Sequence, residues 1–477
     1  MKSALDALRI RRLVTDSRKV MPGDTFVACV GEKMDGRHFI GDAIHAGASS
    51  VIWEKEGFSW DPSWNVPNLA VENLRTKAGE IADQVYGHPS EKLWVVGVTG
   101  TNGKTSCTHW IAQALTRLGK KTAVIGTLGN GFPGSLSPSV NTTPDAVTLH
   151  GLMKDYLEEG VQCVAMEVSS HALVQRRVSG IHFDVALLTN LTRDHLDYHG
   201  DMASYGAAKA SLFDRPELKY AVLNLDDGFG FEIMKKPLHA EKIAYGFSEI
   251  SDTMRVTGRN LRMQGGMLSM DVESSWGKGV VSSPAIGRFN ASNLLGVLCV
   301  LLASGYGLED AADALSQVGA VPGRMQQLGG NGMPLVVVDY AHTPDALENV
   351  LEALREIAKG KLTCVFGCGG DRDAGKRPVM GRIASRLSDR VIVTSDNPRS
   401  EDPGSIIAQI AAGIPGDYCV IRDRKKAIRQ AIMESAEEDL VLLAGKGHEN
   451  YQEIRGERLP YSDIEEAADA LEWWSGR

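Results

Sequence analysis

Residues 93–119 read LWVVGVTGTNGKTSCTHWIAQALTRLG, and no other stretch restricts the fold so tightly. An apolar run of strand length enters a glycine-rich turn, and an amphipathic helix leaves it and stops at Gly119. Strand, loop and helix in this order gather backbone N–H groups and the positive end of a helix around an anion. The common phosphate loop has a glycine, four residues, then Gly-Lys-Thr or Gly-Lys-Ser. Here Val98 takes the first glycine's place, with glycines at 97 and 100 instead. The remaining logic survives. Gly100 and Gly103 let the loop, with Thr101 and Asn102, approach phosphate oxygens; Lys104 is expected on the β- and γ-phosphates, Thr105 on Mg²⁺, and Ser106 completes the nucleotide site. The loop alone does not name the chemistry, because motors, transporters and kinases share it.

The same alternation organises the rest of the chain. LWVVGV, KTAVIG, VQCVAMEVS, FDVALLTN and KYAVLNLD are short apolar runs separated by helical periods, the pattern of a doubly wound parallel sheet covered on both faces. Around residues 253–283 the pattern changes to glycine-punctuated alternation, predicting antiparallel strands appended to that sheet. The helix NASNLLGVLCVLLASGYG follows and closes the block near Val321-Pro322-Gly323. A second, Rossmann-like α/β sheet is expected from PLVVVDYAHTP through DLVLLAGKGHE, and a small mixed α/β unit before the YGHPSEK turn. A chain of 477 residues is too long for one core. The expected domains are 1–88, 89–322 and 323–477.

Composition excludes several functions. A net charge of −9 argues against a nucleic-acid partner, which needs concentrated Lys and Arg. The 7 cysteines are odd in number and scattered, so they form no disulfide framework, and Cys364 with Cys368 lacks a second pair for zinc. No stretch reaches the roughly 18 apolar residues of a membrane span, and the first residues lack a signal peptide's apolar segment. A cytoplasmic protein without membrane insertion, acting as a monomer, is expected.

Beyond the loop, NTTPD at 141–145, MEVSSHAL at 166–173, TNLTRDHLDYHG at 189–200, DYAHTPD at 339–345 and DNPRSEDP at 396–403 stand in a fixed order. With TDSRKVMPGDTFVACVG at 15–31, this series resembles the Mur ligases, which build the peptide of bacterial cell-wall precursors, over essentially the whole chain. The resemblance implies ATP-dependent amide formation: a carboxylate becomes an acyl phosphate, which an amine then attacks. Such a site gathers many negative charges and needs metal ions and cationic side chains to oppose them.

Several roles follow from that resemblance. Glu167 and His195 stand at carboxyl ends of predicted strands, where they and Thr105 can ligate Mg²⁺; Asp194 and Asp197 are further acidic candidates, although RDHLDYHG also suits a solvated turn. Lys209, which composition alone would leave as a solvent-facing helix lysine, matches the family's carbamylated lysine. A CO₂-derived carbamate there requires an amine that is neutral part of the time. Asn141, Thr142, Thr143, Ser169, Gln175 and Arg177 would hold the UDP-muramoyl dipeptide, with Ser17 at the uridine end; turn formation and helix capping are the alternatives for the Ser and Thr residues. Asn293, Arg324, Asp339, His342 and Lys376 resemble residues that contact ATP from the other side.

The family differs internally in the amino acid it adds, and the DNPR form goes with meso-diaminopimelate. Arg399 would pair that molecule's distal carboxylate, Asp396, Asn397 and Pro398 would frame it, and Arg372, Gly445 and Glu449 would hold its other end. SDNPRSEDP is also a good turn by composition. The nearest alternatives are the same reaction with L-lysine, and folylpolyglutamate synthesis, which should lack the DSR and DNPR segments. A motion-driving P-loop ATPase or a non-enzymatic nucleotide-binding scaffold differs in needing no amine or carboxylate substrate.

Overall fold

The computed structural model describes residues 2–32, 34–249, 253–264 and 267–476. The paired glycines Gly265 and Gly266, part of the predicted antiparallel block, lie outside the described residues, as do Met1, Lys33, residues 250–252 and Arg477. Three main sheets carry the chain, with four, eleven and six strands.

In the eleven-stranded sheet the strand Trp94–Thr99 lies between Cys163–Glu167 and Val185–Leu188, parallel to both. Thr122–Gly126 flanks the first neighbour, and Tyr220–Asn224 then Glu241–Gly246 extend beyond the second. The chain therefore builds first to one side of Trp94–Thr99 and then to the other. That reversal opens a crevice at the carboxyl ends of the strands. Val95, Val96 and Val98 are fully buried, as continuous apolar strands covered on both faces must be.

As predicted, antiparallel strands extend the sheet: Met254–Gln264 runs parallel to Glu241–Gly246 and then pairs antiparallel with Met267–Ser274, which pairs with Gly277–Ser283. The helix Arg288–Ala303 packs against this sheet, polar in its first turns through Asn290, Ser292 and Asn293 and apolar from Leu294 onward, where it enters the core. Among the described residues no helix is long and apolar enough to cross a membrane.

The six-stranded sheet is parallel except for its edge strand Gln326–Gly329. Leu440–Ala444 is inserted between Leu335–Asp339 and Leu362–Phe366, with Arg390–Val393 and Cys419–Val420 beyond. The first sheet is wholly parallel, through Leu13–Val14, Thr25–Ala28, Ser50–Glu54 and Asn68–Val71. Two hairpins, Gly129–Phe132 with Ser135–Ser137 and Tyr451–Ile454 with Glu457–Pro460, lie in segments without clean apolar alternation.

Candidate active site

The carboxyl ends of the second and third sheets face one another across a cleft of about 870 Å³. Its wall includes Thr101–Ser106 and residues following the strands that end at Glu167, Leu188, Asn224, Asp339, Phe366, Val393 and Ala444. The helix Lys104–Arg117 begins directly at the loop. Gly100 has φ +149° and Gly103 φ +88°. A Cβ at Gly100 would lie 1.9 Å from Thr189 Oγ1, and one at Gly103 2.6 Å from Asn293 Oδ1. Only glycine fits this turn against its neighbours.

The loop is held from three sides. Thr101 N donates to Asn190 O (2.9 Å), Asn102 N to Asn190 Oδ1 (2.9 Å), and Asn102 Nδ2 to Asp345 Oδ2 (2.9 Å) on the facing unit. Lys104 Nζ donates to Gly100 O and Thr101 O, at 2.9 and 2.8 Å. Burial pushes this ammonium below its ordinary value, against the attraction of Glu167 and Asp194.

Glu167, 1% exposed, ends its strand beside the loop. It accepts from Thr127 N (2.8 Å), Thr127 Oγ1 (3.1 Å) and Thr105 Oγ1 (3.1 Å). Thr105 Oγ1 also receives Arg324 Nη2 at 3.0 Å, so a cation from beyond the second sheet reaches the first turn of the loop helix. Arg324 lies over the Tyr340 ring, 4.4 Å from its centroid.

His195 has φ +55°, an unusual conformation for a residue with a Cβ. Its Nε2 is 3.4 Å from Asp194 Oδ2, and His342 Nε2 is 3.7 Å from the same oxygen. Burial pushes the His195 imidazole down to about 3, outweighing the opposing pull of Asp194. The ring is therefore neutral near pH 7, the form that ligates a metal. Burial disfavours the Asp194 charge, yet its hydrogen bond with His342, the neighbouring imidazoles when they are protonated, and the Lys376 cation hold it well below the usual carboxylate range.

Lys209 is 1% exposed, contrary to the surface lysine that composition suggests. Its Nζ donates to Gly100 O at 2.7 Å and lies 4.5 Å from the Tyr205 ring centroid. Burial, then repulsion from Lys104, pushes its amine well below the ordinary value.

On one flank of the cleft are Asn141, Thr142, Ser169 and Arg177. Arg177 Nη1 donates to Thr143 O (2.9 Å) and Nη2 to Gln175 Oε1 (2.5 Å), while Thr143 Oγ1 donates to Glu167 O (2.8 Å). On the other flank are Arg372, Arg399 and Glu449. Arg399 Nη1 donates to Gly370 O at 2.8 Å, and Glu449 accepts from Asn397 Nδ2 (2.8 Å) and the buried Lys446 Nζ (2.9 Å). Asn293, Arg324, Asp339 and His342 also line the cleft.

Other predicted residues stand behind this wall or away from it. Asn397 Oδ1 is engaged by Lys446 Nζ and Glu453 N, so its side chain braces Glu449. A Cβ at Gly445 would lie 2.7 Å from Asp396 Oδ2, which makes that glycine a packing requirement. Gly100, Thr143, Gln175, Lys209, Asp396, Pro398 and the buried Lys376 are not on the lining, and Ser17 belongs to the first sheet's unit. Sequence reasoning missed Thr127, Asn190, His171 and Asp345 as site residues. The last three lie within the quoted segments TNLT, SSHAL and HTPD, but only the folded contacts single them out: Asn190 on the loop backbone, His171 against the His195 ring, and Asp345 from across the cleft.

Residues 98–301 match the Mur ligase middle domain, 323–447 the Mur ligase, glutamate ligase domain, and 9–86 the Mur ligase family, catalytic domain. The chain is 52% identical to a UDP-N-acetylmuramoyl-L-alanyl-D-glutamate–2,6-diaminopimelate ligase of Nitrosomonas europaea, covering 97% of this chain and 93% of that protein. A solved structure of a ligase bearing the same name is 36% identical with TM-score 0.68, covering 98% of this chain and 95% of the other. The MurF ligase of Thermotoga maritima in complex with ADP, at 21% identity, shares the fold with TM-score 0.70 over 99% of both chains.

Proposed function

The chain belongs to the Mur ligase family, and from that membership we propose that it joins meso-2,6-diaminopimelate to UDP-N-acetylmuramoyl-L-alanyl-D-glutamate at the cost of ATP. One observation carries the reading: a single cleft joins the phosphate loop to Arg177 on one flank and to Arg399 and Glu449 on the other. Three charged substrates can then meet between two facing sheet edges.

In this mechanism the loop from Gly100 to Ser106 holds the phosphates, with Lys104 leaving its own loop carbonyls for β- and γ-oxygens. Asn293, Arg324, Asp339 and His342 approach the nucleotide from the facing wall, with Lys376 behind. Arg177, Ser169, Asn141, Thr142, Thr143 and Gln175 orient the precursor, and Ser17 meets its uridine end. The free D-glutamyl carboxylate oxygen attacks the γ-phosphorus and ADP leaves. Glu449 holds an ammonium of diaminopimelate, and the second amine, deprotonated, attacks the acyl carbon. Phosphate departs with the electron pair of the broken C–O bond and takes up the proton that the attacking nitrogen loses, and the amide remains. Water shut out between the facing units cannot hydrolyse the acyl phosphate.

Thr105, Glu167 and His195 would hold Mg²⁺. A hydroxyl, a carboxylate and a neutral imidazole beside a phosphate loop suit an ion that keeps several waters and takes few protein ligands. Fewer than three His, Cys, Asp or Glu side chains converge there among the described residues. Bound Mg²⁺ supplies charge neutralisation at the phosphates. A carbamate on Lys209 would add a carboxylate-like group beside Gly100. We place the reaction in the cytoplasm and assign it to a monomer.

Selectivity rests on Arg399, whose guanidinium meets the carboxylate that lysine lacks. Leaving it unpaired costs about 1–3 kcal/mol, at least about tenfold in discrimination. Arg399→Ala should cut turnover of diaminopimelate by about tenfold or more with ATP binding nearly unchanged. Equal use of lysine and diaminopimelate by the unsubstituted protein overturns the assignment.

A further inference from the structure

Glu32 belongs to the first sheet's unit, yet its carboxylate closes a ring of hydrogen bonds with the middle unit. Gln175 Nε2 donates to Glu32 Oε2 at 3.1 Å and to Tyr198 OH at 3.2 Å. Tyr198 OH donates in turn to Glu32 Oε1 (3.3 Å), and Arg75 Nη2 donates to the same oxygen (2.8 Å). Both amide protons of Gln175 are thereby used. A carboxylate only accepts, so the amide nitrogen must face Glu32 and the amide oxygen must face the other way. That oxygen receives Arg177 Nη2 at 2.5 Å, while Arg177 Nη1 is held by Thr143 O at 2.9 Å.

We propose that Glu32 is a positioning residue for the acidic precursor: across the boundary between the first and middle units it fixes the amide orientation of Gln175, and so holds Arg177 aimed into the cleft. This rests on the function proposed above. Without Glu32 the Gln175 amide nitrogen keeps only Tyr198 OH of these two acceptors, so the side chain is less firmly anchored and Arg177 Nη2 loses a fixed acceptor, which frees the guanidinium for other rotamers. The arginine would then be ordered at the expense of precursor binding, whereas the phosphate loop and the Arg399 flank are untouched. Because Glu32 is about two-fifths exposed, the effect is modest.

The test is steady-state kinetics of Glu32→Ala, Gln175→Ala and the double variant, with each substrate varied in turn. Glu32→Ala is expected to raise KM for the precursor about threefold or more, with kcat and KM for ATP and diaminopimelate unchanged. On the Gln175→Ala background, removing Glu32 should add nothing, because its influence passes through that amide. An unchanged KM for the precursor, a fall in kcat alone, or effects that multiply independently in the double variant overturns the proposal. Failure of the unsubstituted protein to form the amide at all would instead refute the reaction, so the two failures are distinct.

Discussion

At the scale of single residues, burial decides which protonation states are available. Lys209 has lost its solvent, lies near Lys104 and retains a carbonyl contact at Gly100, and these conditions favour the neutral amine that CO₂ can attack. If the proposed carbamate is what the site needs, Lys209→Ala should lose about a hundredfold in activity, and added acetate should restore part of it. A loss that acetate never restores, with metal binding intact, contradicts this. His109 and His448 are similar in physics but lie outside the proposed chemistry. Burial lowers them to about 4 and about 3 from the ordinary 6.5, and one ring nitrogen of each has no hydrogen-bond partner. Between the folded and unfolded values only the unfolded chain takes up these protons, so stability is full above about 6.5 and is lost as pH falls toward about 4. Denaturation midpoints measured across that window should fall steadily as acid is added; a flat profile would contradict the account.

At the scale of elements, the helices Arg424–Met433 and Asp463–Ser475 are joined by a fully buried ion pair. Arg424 Nε and Nη2 meet the two oxygens of Asp463 at 2.8 and 2.7 Å, with Tyr461 OH on Asp463 Oδ1 at 2.9 Å. Removing one partner strands a charge in the core and costs about 3–5 kcal/mol, whereas replacing both with apolar residues of similar volume costs far less. Denaturant unfolding of Arg424→Met, Asp463→Leu and the double variant should show this non-additivity; single variants as stable as the parent would refute it. The main elements were legible in the sequence because continuous apolar runs mark covered parallel strands, as at VQCVAMEVS and DLVLLAGKGHE. The strand Gln326–Gly329 and the hairpin at 451–460 were not, since their residues are largely polar and carry no continuous apolar run, even though each pairs with a segment close in sequence.

At the scale of the whole molecule, function depends on two sheets presenting carboxyl ends to one another. Arg193 to Asp373 (3.0 Å), Asn102 to Asp345 (2.9 Å) and Arg324 to Thr105 (3.0 Å) cross between them. The sequence segments named candidates for the site, because family resemblance attaches to short motifs, and several of those candidates line the cleft. They did not show that Asn397 braces Glu449, that Lys209 is buried, or that Asp345 grips the phosphate loop. Those facts arise only when separate strand ends converge. The claim that this convergence serves amide formation is tested most directly by measuring phosphate release from ATP with each substrate omitted in turn. Sustained release is expected only with both the muramoyl dipeptide and diaminopimelate present; release at full rate with neither would rule out amide formation as the reaction.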